Sequence, residues 1–190
     1  LIVHGRDREQ ALARLGQALA RYRVVGVTTN IELLARLIET ASFRNADLDT
    51  GLIEREQAAL FPPQQAPPDE VWLLAASAEL AREAQSAQPG SPWVPLDQWR
   101  LNGSATRTLS FRFGSEEREI QVDVVGGRHE LSCTGQRLRV QFTSSGNGEL
   151  SIQLGDRLWN VACAASGKMR HLFAGRREWV LSLVDPLHIA

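Results

Sequence analysis

Residues 69 to 87 read Asp-Glu-Val-Trp-Leu-Leu-Ala-Ala-Ser-Ala-Glu-Leu-Ala-Arg-Glu-Ala-Gln-Ser-Ala, with no Gly or Pro and many strong helix formers. Asp69 and Glu70 put negative charge at the end of a helix where the dipole favours it, and Asp69 is suited to cap the free N–H groups. The first two turns, Val71 to Ala76, are apolar on every side, and Glu79, Arg82, Glu83 and Gln85 add polarity only later. A helix that is apolar all round has to be surrounded. The run falls well short of the about 20 apolar residues that span a bilayer, so the chain itself must supply the cover.

The cover is legible downstream. From Trp99 onward the hydrophobic period becomes two. Leu109, Phe111 and Phe113 alternate with polar residues, as do Ile120, Val122 and Val124, then His129, Leu131 and Cys133, then Leu138, Val140 and Phe142. Leu150, Ile152 and Leu154 follow, then Trp159, Val161 and Cys163, then Met169 and Phe173, and finally Trp179, Leu181 and Leu183. Turn signals separate the runs at Gly114-Ser115, Gly126-Gly127, Thr134-Gly135, Gly146-Asn147-Gly148, Gly155-Asp156, Ser166-Gly167 and Gly175-Arg176. The spacing predicts about eight strands in an antiparallel meander with one apolar face. A barrel of that size has roughly enough room for side chains alone, whereas a helix measures about 10–12 Å across. Ala75, Ala76, Ala78, Ala81 and Ala84 make this helix slim. The pattern permits a barrel filled by the helix and equally a sheet packed on one side of it.

The segment before the helix reads differently. Leu1 to Gly5 looks like the tail of a strand, and Asp7 with Gln10 forms a capping box for a helix burying Ala11, Leu12, Leu15, Leu19 and Tyr22. Arg23 to Val27 is a predicted short strand. Thr29 with Glu32 is a second capping box, opening a helix to about Ser42 with Ile31, Leu34, Leu37, Ile38 and Ala41 inward. A brief helix ends at Leu60. Phe61-Pro-Pro-Gln-Gln-Ala-Pro-Pro68 is then a stiff connector. The expected fold class is α+β: a truncated segment over 1–61, a Pro-rich linker over 62–68, and a second domain over 69–190. That domain comprises a helix (69–87), a Pro-rich loop (88–98) and a β-meander (99–184). Because the sequence opens at Leu1 in what reads as mid-strand, a piece of a longer protein is expected.

Composition bounds the function. A formal net charge of −1 over 190 residues argues against a protein built to hold nucleic acid or an anionic membrane surface. Cys133 and Cys163 are too few for a disulfide scaffold and read as buried thiols of a reducing compartment. No G-x-S-x-G elbow occurs, and His4, His129, His171 and His188 are scattered without metal-ligand spacing. Ala165-Ser-Gly-Lys-Met169 ends like a phosphate loop, but its upstream Gly is replaced by Ala162 and its Ser/Thr by Met169, so a hairpin turn accounts for it. Arg100, Arg107, Arg112, Arg118, Arg128, Arg137 and Arg139 are read as lying on outward strand faces. No catalytic residue, metal ligand or cofactor-binding residue is assigned. The candidate site is a surface instead: Pro92, Trp93, Val94, Pro95, Leu96 and Trp99 sit on a loop too proline-rich for a strand. Tryptophan there either tucks under the loop or anchors a partner.

Several stretches carry a family resemblance. Leu1-Ile-Val-His-Gly-Arg-Asp-Arg-Glu9, Tyr22-Arg-Val-Val-Gly-Val-Thr-Thr-Asn30 and Asp49-Thr-Gly-Leu-Ile-Glu54 resemble the end of a biotin carboxylase domain. Ser91-Pro-Trp93, Asp97-Gln-Trp-Arg-Leu-Asn102 and Asp185-Pro-Leu187 resemble the middle (BT) region of the biotin-bearing α subunit of 3-methylcrotonyl-CoA carboxylase, with geranyl-CoA and propionyl-CoA carboxylases as close alternatives. The resemblance implies a long helix enclosed by an eight-stranded antiparallel barrel. It also implies contact with the carboxyltransferase β subunit through a hook-like loop matching Gln88 to Gln98. The parent enzyme would be a large hetero-oligomer whose α chain also carries the biotin carboxylase and biotin carrier domains. It would use biotin, ATP and a divalent metal (Mg or Mn), in a bacterial cytoplasm or a mitochondrial matrix. The elements that bind ATP and bicarbonate, and the biotinyl lysine, are not among these residues. A rival reading is a small barrel that binds an apolar ligand.

Overall fold

The computed structural model describes residues 1–63, 65–86, 105–125, 128–175 and 177–184. Two compact units divide the chain, Leu1–Gln65 and Ala66–Ala190.

The first unit is helical. It contains α1 (Arg8–Arg21), α2 (Ile31–Leu37), α3 (Ala41–Arg44), α4 (Leu52–Arg55) and α5 (Gln57–Leu60). Asp7 caps α1 by accepting the Gln10 N–H at 2.8 Å, and the Gln10 amide oxygen returns to the Arg6 N–H at 2.9 Å. The expected strands at Leu1–Gly5 and Arg23–Val27 do not form, since a strand needs a ladder partner and no described residue of this unit pairs with either. The second capping box fails too. Asn30 stands at the N-cap of α2 without a side-chain bond, and Glu32 pairs with Arg36 one turn on, at 2.8 Å. The expected single helix to Ser42 breaks after Leu37. The Thr40 hydroxyl donates to the Leu37 carbonyl and accepts from the Phe43 N–H, which ends one helix and caps the next. Tyr22, Leu34 and Ala41, expected inward, are exposed, and Leu19 and Ile38 carry the burial. Arginines serve the orphan carbonyls at helix ends: Arg8 donates to Phe43 and Arg44, and Arg36 to Leu60.

The second unit is a closed barrel around α6 (Asp69–Ser86). Its strands are β1 (Ala105–Phe113), β2 (Glu116–Val125), β3 (Arg128–Cys133), β4 (Gln136–Gly146), β5 (Glu149–Leu154), β6 (Arg157–Ser166), β7 (Met169–Ala174) and β8 (Arg177–Val184). Each strand pairs antiparallel with its neighbours in sequence, and β8 closes on β1 at Ser110–Val184, Phe111–Leu183 and Arg112–Ser182. The alternating apolar residues point inward as their period requires: Phe111, Ile120, Val122, Leu131, Ile152 and Leu181 are fully buried. They close on Trp72, Leu73, Leu74 and Ala76, also at most 1% exposed. From Val71 to Ser77 every helix position is buried, and the Ser77 hydroxyl is satisfied by the Leu73 carbonyl at 2.7 Å.

One strand departs from expectation. On β7 the inward residues are Arg170, Leu172 and Ala174, while Met169 and Phe173 lie on the outer face. Register on a strand has period two, so a reading displaced by one residue inverts every side chain.

Glycine is required at the β4–β5 turn. Gly148 has φ +75°, and a Cβ there would lie 2.5 Å from the Cys163 carbonyl oxygen, while its own carbonyl accepts the Cys163 N–H at 2.8 Å. Gly148→Ala is therefore expected to lower the thermal midpoint by several degrees. At Gly167 φ is +57° and nothing lies within 4 Å of a built Cβ, so Gly167→Ala should cost only the backbone strain of about 1–2 kcal/mol. Equal midpoints for the two variants in a calorimetric scan would refute the clash.

Candidate functional site

Two ends of α6 carry its polar residues, and both are met by arginines that project from the barrel wall. At the entry, the Asp69 carboxylate bonds Arg118 on β2 and accepts the Thr134 hydroxyl at 2.9 Å. These partners hold Asp69 below the usual carboxylate range, so its side chain serves the barrel and not the helix N-cap expected from sequence. Glu70 faces Arg157 of β6 at 3.5 Å. The Trp72 indole N–H donates to the Pro67 carbonyl at 3.2 Å, tying the helix to the connector before it.

At the exit the charges are deeper. Glu79 is only 2% exposed, and its carboxylate receives Arg170 Nε at 2.7 Å and Arg82 Nη2 at 2.6 Å. Burial pushes its pKa up, but hydrogen bonds and charge from the two guanidinium groups outweigh that and leave it at about 2. Arg170 also donates to the Gly167 and Met169 carbonyls, which fixes its guanidinium at the β6–β7 turn. One turn further on, Glu83 pairs with Arg107 on β1. His129 lies nearby with its ring against Phe142; burial, with help from the Arg107 charge, lowers its pKa.

Beside Glu79 lies an open, mainly apolar pocket of about 130 Å³ between α6 and strands β5 to β7, bordered by Ala75, Ala78, Leu150, Cys163 and Leu172. Small-molecule sites usually occupy roughly 300–1,000 Å³. The barrel interior that a ligand-binding reading requires is taken by α6. Among the described residues no cluster of three His, Cys, Asp or Glu could hold a metal ion, and no helix is long and apolar enough to cross a membrane.

Pro92, Trp93, Val94, Pro95, Leu96 and Trp99, the surface expected from sequence, lie outside the described residues. Two of the arginines read as outward, Arg107 and Arg118, instead face the helix. Arg112, Arg137 and Arg139 keep to the exterior, where Arg112 pairs with Glu117 and Arg137 with Asp123 and Glu130. Arg170 was missed. The hairpin carried the signal: Ser166 and Met169 flank a two-residue turn, so Ala165 opposes Arg170 and Cys163 opposes Leu172. Opposed residues share a face, and Cys163 was already read as inward.

Comparison with known proteins agrees with this architecture. The family described as "Methylcrotonyl-CoA carboxylase, alpha-subunit, BT domain" matches residues 68–186, and "Biotin carboxylase C-terminal domain" matches residues 1–55. A mitochondrial methylcrotonoyl-CoA carboxylase subunit alpha from Dictyostelium discoideum is 32% identical over 131 residues, which is 67% of this chain and 19% of that protein. Its counterpart from Arabidopsis thaliana is 34% identical over 190 residues, covering 87% of this chain and 26% of that protein. The mitochondrial propionyl-CoA carboxylase alpha chain of Caenorhabditis elegans is 37% identical over 137 residues, covering 67% and 19%. The chain thus spans about a fifth to a quarter of the length of these relatives.

Proposed function

We propose, on the premise that this chain belongs to the family of the methylcrotonyl-CoA carboxylase alpha-subunit BT domain, that its barrel unit is a non-catalytic assembly region. On this reading it joins a biotin-dependent acyl-CoA carboxylase α subunit to the carboxyltransferase β subunit. The observation that carries the reading is the filled barrel: a helix buried at every position from Val71 to Ser77 leaves its interior no room for a substrate. Such a unit offers its surface.

The contact is assigned to the loop from Gln88 to Gln98, with Pro92, Trp93, Val94, Pro95 and Leu96, and to Trp99 just beyond it. Large apolar side chains on a proline-stiffened loop lose little entropy on docking. The parent enzyme would carboxylate biotin with ATP and bicarbonate, then pass the carboxyl group to an acyl-CoA such as 3-methylcrotonyl-CoA. Biotin, ATP and the divalent metal belong, on this reading, to parts of the parent outside these residues. The parent would work in a bacterial cytoplasm or a mitochondrial matrix, and this piece alone would be inactive.

Trp93→Ala is expected to leave the thermal midpoint unchanged and to weaken binding to the carboxyltransferase subunit by roughly 30-fold, the size of a typical hot-spot loss. Titration calorimetry with the purified subunit measures it. Unchanged affinity would move Trp93 to an internal packing role. No binding by this chain, together with full binding by a parent lacking the region, would end the proposal.

A further inference from the structure

The helix inside the barrel has an orientation problem. Between Val71 and Ser77 every position is buried, and α6 is only weakly amphipathic over its length. Apolar burial is non-directional. A rod that is greasy all round meets apolar surface at any rotation, so buried area alone does not say how it is turned, and only the shape of Trp72 against Ala75 and Ala76 adds a packing preference. The polar residues do say. Asp69, Glu70, Glu79 and Glu83 each meet an arginine from a different strand: Arg118 on β2, Arg157 on β6, Arg170 on β7 and Arg107 on β1. The four arginines come from one arc of the wall, β6 through β8 to β2, and meet both ends of the helix. One rotation and one axial height satisfy all four pairs. A slip of one residue moves the helix by about 1.5 Å and turns it by about 100°, which would carry the Glu79 carboxylate away from Arg170 and leave it only Arg82 of its own helix.

We propose that these ion pairs, and not the apolar contacts, set the rotation and height of α6 in the barrel. Glu79, Glu83, Arg107 and Arg170 are then positioning residues for α6. Replacing a buried ion pair by apolar residues is often neutral for stability, whereas separating its partners is costly, so the pairs can fix position without adding net stability. Glu79 and Arg170 matter most, at 2% and 14% exposure. The pairs of Asp69 and Glu70 are more open to solvent and guard the height of the entry.

The test separates position from stability. In the full chain, with Cys133 and Cys163 replaced by alanine, spin labels go on cysteines introduced at the exposed positions Gln85 and Lys168. Their separation is measured by pulsed electron resonance. The parent should give one narrow distance distribution. The apolar double variant Glu79→Leu with Arg170→Leu should keep a cooperative thermal transition at or above the parent midpoint, yet show a distribution broadened or split by several ångströms. Glu83→Gln with Arg107→Gln, at a half-exposed pair that endangers folding less, should broaden it to a smaller degree. A narrow, unshifted distribution in both double variants would overturn the inference.

One further consequence rests on the proposed function. Affinity for the carboxyltransferase subunit should fall about tenfold in the Glu79→Leu, Arg170→Leu variant although its fold is no weaker. If this chain fails to bind the carboxyltransferase subunit, a parent lacking the region binds it fully, and the distances still broaden, the assembly reading fails and the positioning inference stands.

Discussion

Replacing Ala76 with arginine is expected to abolish cooperative folding of the barrel unit. Ala76 is fully buried, among side chains such as Trp72, Leu73 and Ile152 that are themselves at most 1% exposed. Arginine would add a long side chain to a core with no matching void, which by itself costs about 1–3 kcal/mol. It would also bury a guanidinium whose nearest acid on the helix, Glu79 three residues on, is already engaged by Arg82 and Arg170, with a penalty of several kcal/mol even after relaxation. Together these approach the roughly 5–15 kcal/mol that holds a typical domain together. Circular dichroism should show no sigmoidal melt, and limited proteolysis should clear the strands within minutes. Gln85→Arg, at an exposed position on the same helix, should melt like the parent. A sigmoidal transition for Ala76→Arg within a few degrees of the parent would mean that the helix does not occupy the centre of the barrel.

Glu79→Ala is the second large effect. It leaves Arg170 with its carbonyl partners but without its anion, and breaking one side of a buried pair costs about 3–5 kcal/mol. The lower end of that range is expected, because Arg82 is half exposed and becomes solvated. The penalty should depend on pH. The Glu79 carboxyl lies at about 2 in the folded protein against 4.5 for an unperturbed glutamate, so its contribution is fully present above about pH 4.5. It is lost as pH falls toward 2, because the unfolded chain binds the proton more readily. Urea titrations at pH 7 and pH 3 should therefore show the gap between parent and Glu79→Ala narrowing at the lower pH. A gap of constant size would mean that the carboxylate is not held by the two arginines.

The architecture of the second unit was legible because two periodicities coexist in one chain. An all-round apolar helix cannot stand alone, and a succession of alternating strands with one apolar face needs something to cover. Closure into a barrel was not legible in the alternation, which serves an open sheet equally; the family resemblance implied it, and the β1–β8 pairing, across at least seventy residues of sequence, carries it. The inversion on β7 shows how a local reading fails. Met169 and Phe173 are the bulkiest apolar residues there, and hydrophobicity alone points them inward. The two-residue turn before them decides otherwise, and it turns Arg170 to the helix. The first unit was read less well. Thr29 and Glu32 have capping-box chemistry, but Asn30 took the position, and nothing within four residues distinguishes the two. Of the candidate surface, Trp93 and its neighbours were visible as composition only, while the ion pairs that orient α6 needed strand faces to be known.

The order of elements along the chain has a cost during synthesis. The helix precedes all eight strands, and about a hundred residues separate Ser86 from the end of β8. At ribosomal rates of about 5–20 residues per second, Trp72, Leu73 and Leu74 leave the exit tunnel some 5–20 seconds before the wall that shelters them is finished. During that interval the nascent segment is sticky, and a holdase that grips short aliphatic runs would compete with premature self-association.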